Sequence, residues 1–199
     1  MIREHINDIA SALKSINVNP EERDLLISLV RNRTRSANLS ALTVRQKLNL
    51  SYVPRWVIVP MMRQQSVADH SWRVGVIAGE LAFRVQAMGV GAPYTRWVAT
   101  SQAISRAVFH DIEEVSTGDI PSTAKPTSPV PKDPLDVLVK AADIIETRAW
   151  VNMWGHERVK RDILDNNDPK FEAILGALES HIPGASKVAR DLLTEIGGA

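Results

Sequence analysis

Four polar residues stand where a helical pattern asks for apolar ones. His70 shares a face with Val74, Ile77 and Leu81, so its imidazole is expected to point inward. His110 and Asp111 close an apolar stretch, directly after Ala107, Val108 and Phe109. Asp143 is set in Val137-Leu138-Val139-Lys140-Ala141-Ala142-Asp143-Ile144-Ile145, on the face shared with Val139 and Trp150. A buried carboxylate is costly unless it is paired or bound to a cation. Two imidazoles and two carboxylates from separate helices could satisfy one another around one metal ion. The chain has no cysteine, so thiolate ligands and disulfides are excluded. Nitrogen and oxygen donors suit cobalt, manganese, zinc, nickel or iron, and leave positions for water and phosphate. Each residue alone has a plainer reading. An inward histidine is commonly a satisfied core residue, and Asp143 could cap a helix or pair with Lys140. Their order and shared apolar setting favour the metal.

The elements that must position these residues read as helices throughout. Residues 1–17 carry Ile2, Ile6, Ile9, Leu13 and Ile16 at spacings of three and four, and Pro20 opens a second helix reaching about Val30. A weaker helical segment covers about 39–50. Pro54 and Pro60 break regularity around Arg55-Trp56-Val57-Ile58-Val59. Ser66, with Asp69 three residues on, caps a long helix with the apolar stripe Val67, Val74, Ile77, Leu81 and Val85. Another helix spans about 95–110. Ser116 to Lys132 is a loop rich in proline, and Asp133-Pro134 is a cap followed by proline at the first helical position. That helix runs to about Trp154, and shorter ones occupy about 168–180 and 185–195. No strand-period segment of useful length appears. The expected class is all-α: a helical bundle over residues 51–199, with residues 1–50 as a helical extension for packing or oligomerisation.

Composition narrows the function further. The 199 residues are 44% hydrophobic, enough for a real core. Lys and Arg number 24 against 23 acids, a balance that offers no electrostatic footprint for a nucleic-acid polymer. The local cluster Arg31, Arg33, Arg35 reads as a solvated helix end. Apolar runs are too short to span a membrane, and Met1-Ile2-Arg3-Glu4-His5 is not a signal peptide. A cytoplasmic protein is expected.

The order His70, His110-Asp111, Asp143 resembles the HD superfamily of metal-dependent phosphohydrolases. Arg55-Trp56, fifteen residues before His70, is similar to the Arg-Trp pair of the bacterial 5′-deoxynucleotidases. The thirteen residues from Phe109 to Pro121, with Glu114-Val115-Ser116-Thr117-Gly118-Asp119-Ile120-Pro121 at their end, resemble that family's long HD signature. Arg55 to Val59 and Arg63 to His70 also resemble phage-encoded dATP triphosphohydrolases. The resemblance covers residues 52–150.

It implies an HD fold and a role for each matching position. His70, His110, Asp111 and Asp143 would be the metal ligands. Glu114 would be the acid/base residue handling the water or the leaving 5′-oxygen, although a surface Glu is the plainer reading. Asp119 would contact the sugar 3′-hydroxyl, support the site, or simply serve the turn after Gly118. Arg55 would pair with phosphate through its planar fork. Trp56 would pack on the deoxyribose and exclude a 2′-hydroxyl, or else be a core Trp. Ile58 and Pro121 fall with the substrate-binding positions, and Arg63 and Lys125 are further candidates for phosphate. The implied substrate is a deoxynucleotide, with dATP first and a deoxynucleoside monophosphate second, and the implied assembly is a homo-oligomer. A non-catalytic nucleotide-binding scaffold is the alternative of another class. One departure stands out: the stretch from Lys125 to Asp143 is shorter than in the deoxynucleotidases. The extension or a neighbouring subunit is therefore expected to supply part of the pocket wall.

Overall fold

A computed structural model describes residues 42–87, 96–119 and 130–197. Two compact units make up the chain, Met1–Lys47 and Leu48–Ala199. The helices expected at 1–17 and 20–30 lie outside the described residues.

The described residues are helical and contain no strand: α1 (Val44–Leu48), α2 (Val67–Ala87), α3 (Arg96–Val108), the single turn α4 (Glu114–Thr117), α5 (Pro134–Trp154), α6 (Glu157–His181) and α7 (Ala185–Glu195), with a 3-10 turn at Asn49–Tyr52. No helix among them is long and apolar enough to cross a membrane.

Local chemistry sets the boundaries. Ser66 Oγ accepts from Asp69 N at 3.1 Å, which satisfies an N–H that the first turn of α2 leaves without a helical partner. Asp133 does the same for α5, accepting from Leu135 N and Asp136 N at 2.8 and 3.3 Å, with Pro134 behind it. One boundary departs from expectation. Helix α6 begins at Glu157 and runs through Pro169, where the sequence suggested a start near 168. Proline lacks the N–H for the residue four back and disfavours a helix interior. Burial on both sides of it offsets that cost: Val159 before it, and Phe171, Ile174, Leu175 and Leu178 after it, are all buried.

The core forms where α2 meets α5, with α3, α6 and α7 closing it. Val74, Ile77, Ala78, Leu81, Ala82 and Val85 pack with Val137, Leu138, Ala141, Ala142 and Ile145, and with Leu175, Leu178, Val188 and Leu192. Two glycines let α3 come close to α2. A Cβ at Gly75 would stand 2.9 Å from Val108 Cγ2, and one at Gly79 would stand 2.8 Å from Ile104 Cγ1. The consequence is positional. Helices α2, α3 and α5 are held side by side, and each carries one of the polar residues singled out above at its end or on its inner face.

The chain before α2 is pinned rather than draped. Pro54 and Ser66 form an isolated antiparallel bridge, and Arg55 N and Val67 N donate to Gln65 O and Val53 O at 2.7 and 2.8 Å. At its far end Met62 N donates to Trp154 O at 2.8 Å, tying the loop to the end of α5. Arg55 and Trp56 therefore sit on a short closed loop fixed to the N-terminal end of α2.

Candidate active site

His70 lies one turn into α2 and is fully buried. Its Nδ1 is 2.6 Å from Glu146 Oε2, itself fully buried on α5, one turn after Asp143. A carboxylate only accepts, so Nδ1 carries a proton and Nε2 is the nitrogen turned to the other residues of the site. His110 follows the end of α3, where the chain turns towards α4. Its Nδ1 is 2.6 Å from the carbonyl oxygen of Ala107, which again can only accept. Both imidazoles thus carry a proton on Nδ1 and turn Nε2 the same way, with ring centroids 5.1 Å apart.

Carboxylates face those two nitrogens. Asp143 Oδ1 is 3.2 Å from His70 Nε2 and 3.9 Å from His110 Nε2. Asp111 Oδ2 is 3.0 Å from His110 Nε2 and 3.7 Å from His70 Nε2. Donor atoms of His70, His110 and Asp143 all lie within 4.8 Å of one another. Nitrogens facing carboxylates across such gaps need a proton or a metal ion between them. The donor set fits a divalent transition metal, and Glu146 is the outer carboxylate that such histidine ligands usually carry.

The electrostatics agree. Burial pushes the His70 imidazole toward its neutral form and the Arg55 charge adds to this, but Asp143 and Glu146 outweigh both and lift its pKa above 6.5. Burial likewise raises the Asp143 carboxyl, yet the Lys140 ammonium and the two imidazoles hold it well below the usual carboxylate range. Glu146 is kept below its ordinary value against its own burial, by His70 and then Arg55. The pocket attracts positive charge, and a metal would answer the same pull as a proton.

The remaining expected residues separate into groups. Asp143 does pair with Lys140, whose Nζ is 2.6 Å from Oδ2, while Oδ1 stays turned to the histidines. The pairing with Lys140 is therefore compatible with a carboxylate oxygen facing the histidines. Glu114 is the first residue of α4 and only 4% exposed, which sets aside the surface reading. Arg55 Nη1 lies 3.2 Å from Gln65 Oε1 and 3.6 Å from Glu146 Oε2, with its guanidinium over the Trp56 ring at 5.1 Å. Trp56 is half-buried and holds φ 63°, a left-handed conformation rare for a bulky side chain. Asp119 Oδ2 accepts from Trp56 N at 3.3 Å, so this carboxylate supports the Arg-Trp loop directly.

Arg63 lies against two indoles, with its guanidinium over the Trp150 and Trp154 rings at 5.7 and 5.3 Å. Ile58 is exposed on the loop. Pro121 and Lys125 lie outside the described residues. Three residues of this centre escaped the sequence reading: Glu146, Gln65 and Arg73, the last with Nε 2.8 Å from Glu146 Oε1.

Comparison with known proteins agrees with this geometry. Residues 45–144, half of the chain, match the model of a family described as 5′-deoxynucleotidase YfbR-like. A dATP triphosphohydrolase of Salmonella phage PMBT28 is 29% identical over 156 residues, covering 69% of this chain and 80% of that one. A 5′-deoxynucleotidase of Shewanella oneidensis is 27% identical over 149 residues, covering 72% of this chain and 69% of that one. In fold the chain is similar to the Cyanophage S-2L HD phosphohydrolase DatZ, solved bound to dA and one catalytic Zn2+ ion. The TM-score is 0.57 at 20% identity, over 78% of this chain and 94% of that one.

If His70, His110, Asp111 and Asp143 hold the metal, they should behave as one unit. Asp111→Ala and His70→Ala are each expected to abolish stoichiometric metal binding and turnover while leaving the helical circular dichroism spectrum in place. Full metal content with intact turnover in Asp111→Ala would contradict the ligand assignment.

Proposed function

The chain belongs to the YfbR-like family of 5′-deoxynucleotidases, and from that premise we propose that it hydrolyses dATP to deoxyadenosine and triphosphate. The observation that carries hydrolysis is the meeting of two Nε2 atoms and two carboxylates, with Glu114 buried one turn past the His-Asp pair. The match to the phage enzyme over four-fifths of its length supports dATP as the substrate.

A metal held by His70, His110, Asp111 and Asp143 would polarise the phosphoryl oxygen and lower the pKa of a bound water. The chain's own residues do the rest. Arg55 presents its fork to phosphate and offsets charge that develops there. Trp56 packs against C2′ of the sugar, where a hydroxyl would collide. Glu114 gives a proton to the leaving 5′-oxygen as the bond to the α-phosphorus breaks and the water oxygen takes its place. Asp119 holds the Trp56 backbone, keeping the loop in its strained form.

A monophosphate substrate is the second reading, favoured by the family's description and by the Shewanella relative. It breaks the same bond. The phosphate chain distinguishes the two, because a triphosphate brings about three to four negative charges that need cations near the site. Beside Arg55, the site holds Arg73 at Glu146 and the half-exposed Lys140 at Asp143. These cations favour the longer chain.

The reading places the enzyme in the cytoplasm, the host's for a phage-encoded chain, where deoxynucleotides are made. It acts there as a homo-oligomer. Trp72, Val76 and Phe83 form an exposed apolar stripe on the outer face of α2, of the kind a second copy covers. Sedimentation velocity should find a species larger than one chain, and a monomer at micromolar concentration would contradict the assembly.

Product analysis tests the substrate. Incubated with dATP and metal, the protein should release intact triphosphate as the first inorganic product, with dAMP the poorer substrate. Orthophosphate or pyrophosphate appearing first, or a clear preference for dAMP, would favour the monophosphatase instead.

A further inference from the structure

Gln65 is 1% exposed, lies immediately before the cap of α2, and is absent from the roles given above. Its amide is fully oriented by its neighbours. Oε1 accepts from Arg55 Nη1 at 3.2 Å and from Trp56 Nε1 at 3.0 Å, and both of those groups can only donate. Nε2 donates to Glu146 Oε1 at 2.8 Å, and that carboxylate can only accept. The opposite amide orientation would set donor against donor and acceptor against acceptor. The Gln65 backbone carbonyl also accepts from Arg55 N at 2.7 Å. Through Glu146 the chain of bonds continues to His70 Nδ1 at 2.6 Å.

We propose that Gln65 is a positioning residue for substrate selection: its single amide fixes the side chains of Arg55 and Trp56 and registers them, through Glu146, to the metal-ligand His70. The proposal rests on the reading of Trp56 as the wall against a 2′-hydroxyl. An indole held by its Nε1 cannot swing to admit a larger sugar, and a guanidinium held by the same oxygen keeps its remaining N–H groups for phosphate. Displacement of a positioned group by about 1 Å is enough to cost roughly a hundredfold in rate. Glu146 and Gln65 act on different partners. Glu146 sets the tautomer of a ligand, whereas Gln65 sets the two residues that meet the substrate, so loss of either should leave a different signature.

The experiment compares Gln65→Leu with Glu146→Gln in the full-length chain loaded with metal. It reads metal content, thermal midpoint, and KM and kcat on dATP and on ATP. Gln65→Leu should keep stoichiometric metal, raise KM for dATP by about tenfold or more, and reduce the dATP-over-ATP preference by roughly ten- to a hundredfold. Glu146→Gln should instead weaken metal affinity by roughly ten- to a hundredfold. If Gln65→Leu does not fold, Gln65→Met, which keeps length without the amide, should give the same signature. A Gln65 variant with a lower thermal midpoint but unchanged KM and unchanged sugar preference overturns the proposal, and so does one that loses its metal as Glu146→Gln does. A parent enzyme that hydrolyses dATP and ATP equally fails earlier, at the role of Trp56 itself.

Discussion

The contact between His70 Nδ1 and Glu146 Oε2 sets the terms for everything around it. Both residues are fully buried, one on α2 and one on α5, and 2.6 Å separates their polar atoms. Without Glu146 the buried Nδ1 of His70 would lose its acceptor, at a cost of about 1–3 kcal/mol, and without His70 the buried Glu146 would be left to Gln65, Arg73 and Arg55. Once paired, the imidazole can present only Nε2 to the site. That requirement propagates into the packing. Ala78, Leu81 and Ile145 are buried without remainder between the helices, so the register that brings His70 to Glu146 is the one the core also demands. The core thus places His70, and the buried carboxylate chooses which of its nitrogens faces His110, Asp111 and Asp143.

A second constraint is stored in the backbone. Trp56 holds φ 63°, and a bulky residue there costs about 1–3 kcal/mol. Asp119 on its N–H and Gln65 on its indole resist relaxation of that loop. Bridging Pro54 to Ser66 closes the loop at its base, beside the cap that starts α2. Strain of this kind persists where the surroundings over-determine a conformation, and here those surroundings are the same residues that run back to His70. The Arg55-Trp56 loop and His70 are parts of one hydrogen-bonded network.

Much of this was legible in the amino-acid sequence, for particular reasons. His70 and Asp143 stand on apolar helix faces, so their burial follows from periodicity alone. Ser66 and Asp133-Pro134 announced two helix starts because capping is local chemistry. The network behind the ligands was harder to read. Glu146 is an ordinary helix former, and Gln65 sits in a loop whose path no periodicity describes. A signal for Glu146 did exist: it falls three residues after Asp143, on the same helical face, between Ile145 and the run to Trp150. The two indole faces against Arg63 were not legible either, because Trp150 and Trp154 lie far from it in sequence. The sequence pattern puts the start of α6 about eleven residues late, because the burial that carries the helix through Pro169 is distributed along its length. Pairwise long-range contacts of these kinds leave no local pattern.

Anomalous diffraction from crystals of the metal-loaded protein, recorded at the absorption edge of the bound metal, tests the central claim most directly. The account predicts a peak bonded to Nε2 of His70 and Nε2 of His110 and to carboxylate oxygens of Asp111 and Asp143, with the His70 Nδ1–Glu146 contact intact. A peak elsewhere, or ligation through Nδ1 of His70 with Glu146 turned away, would contradict it.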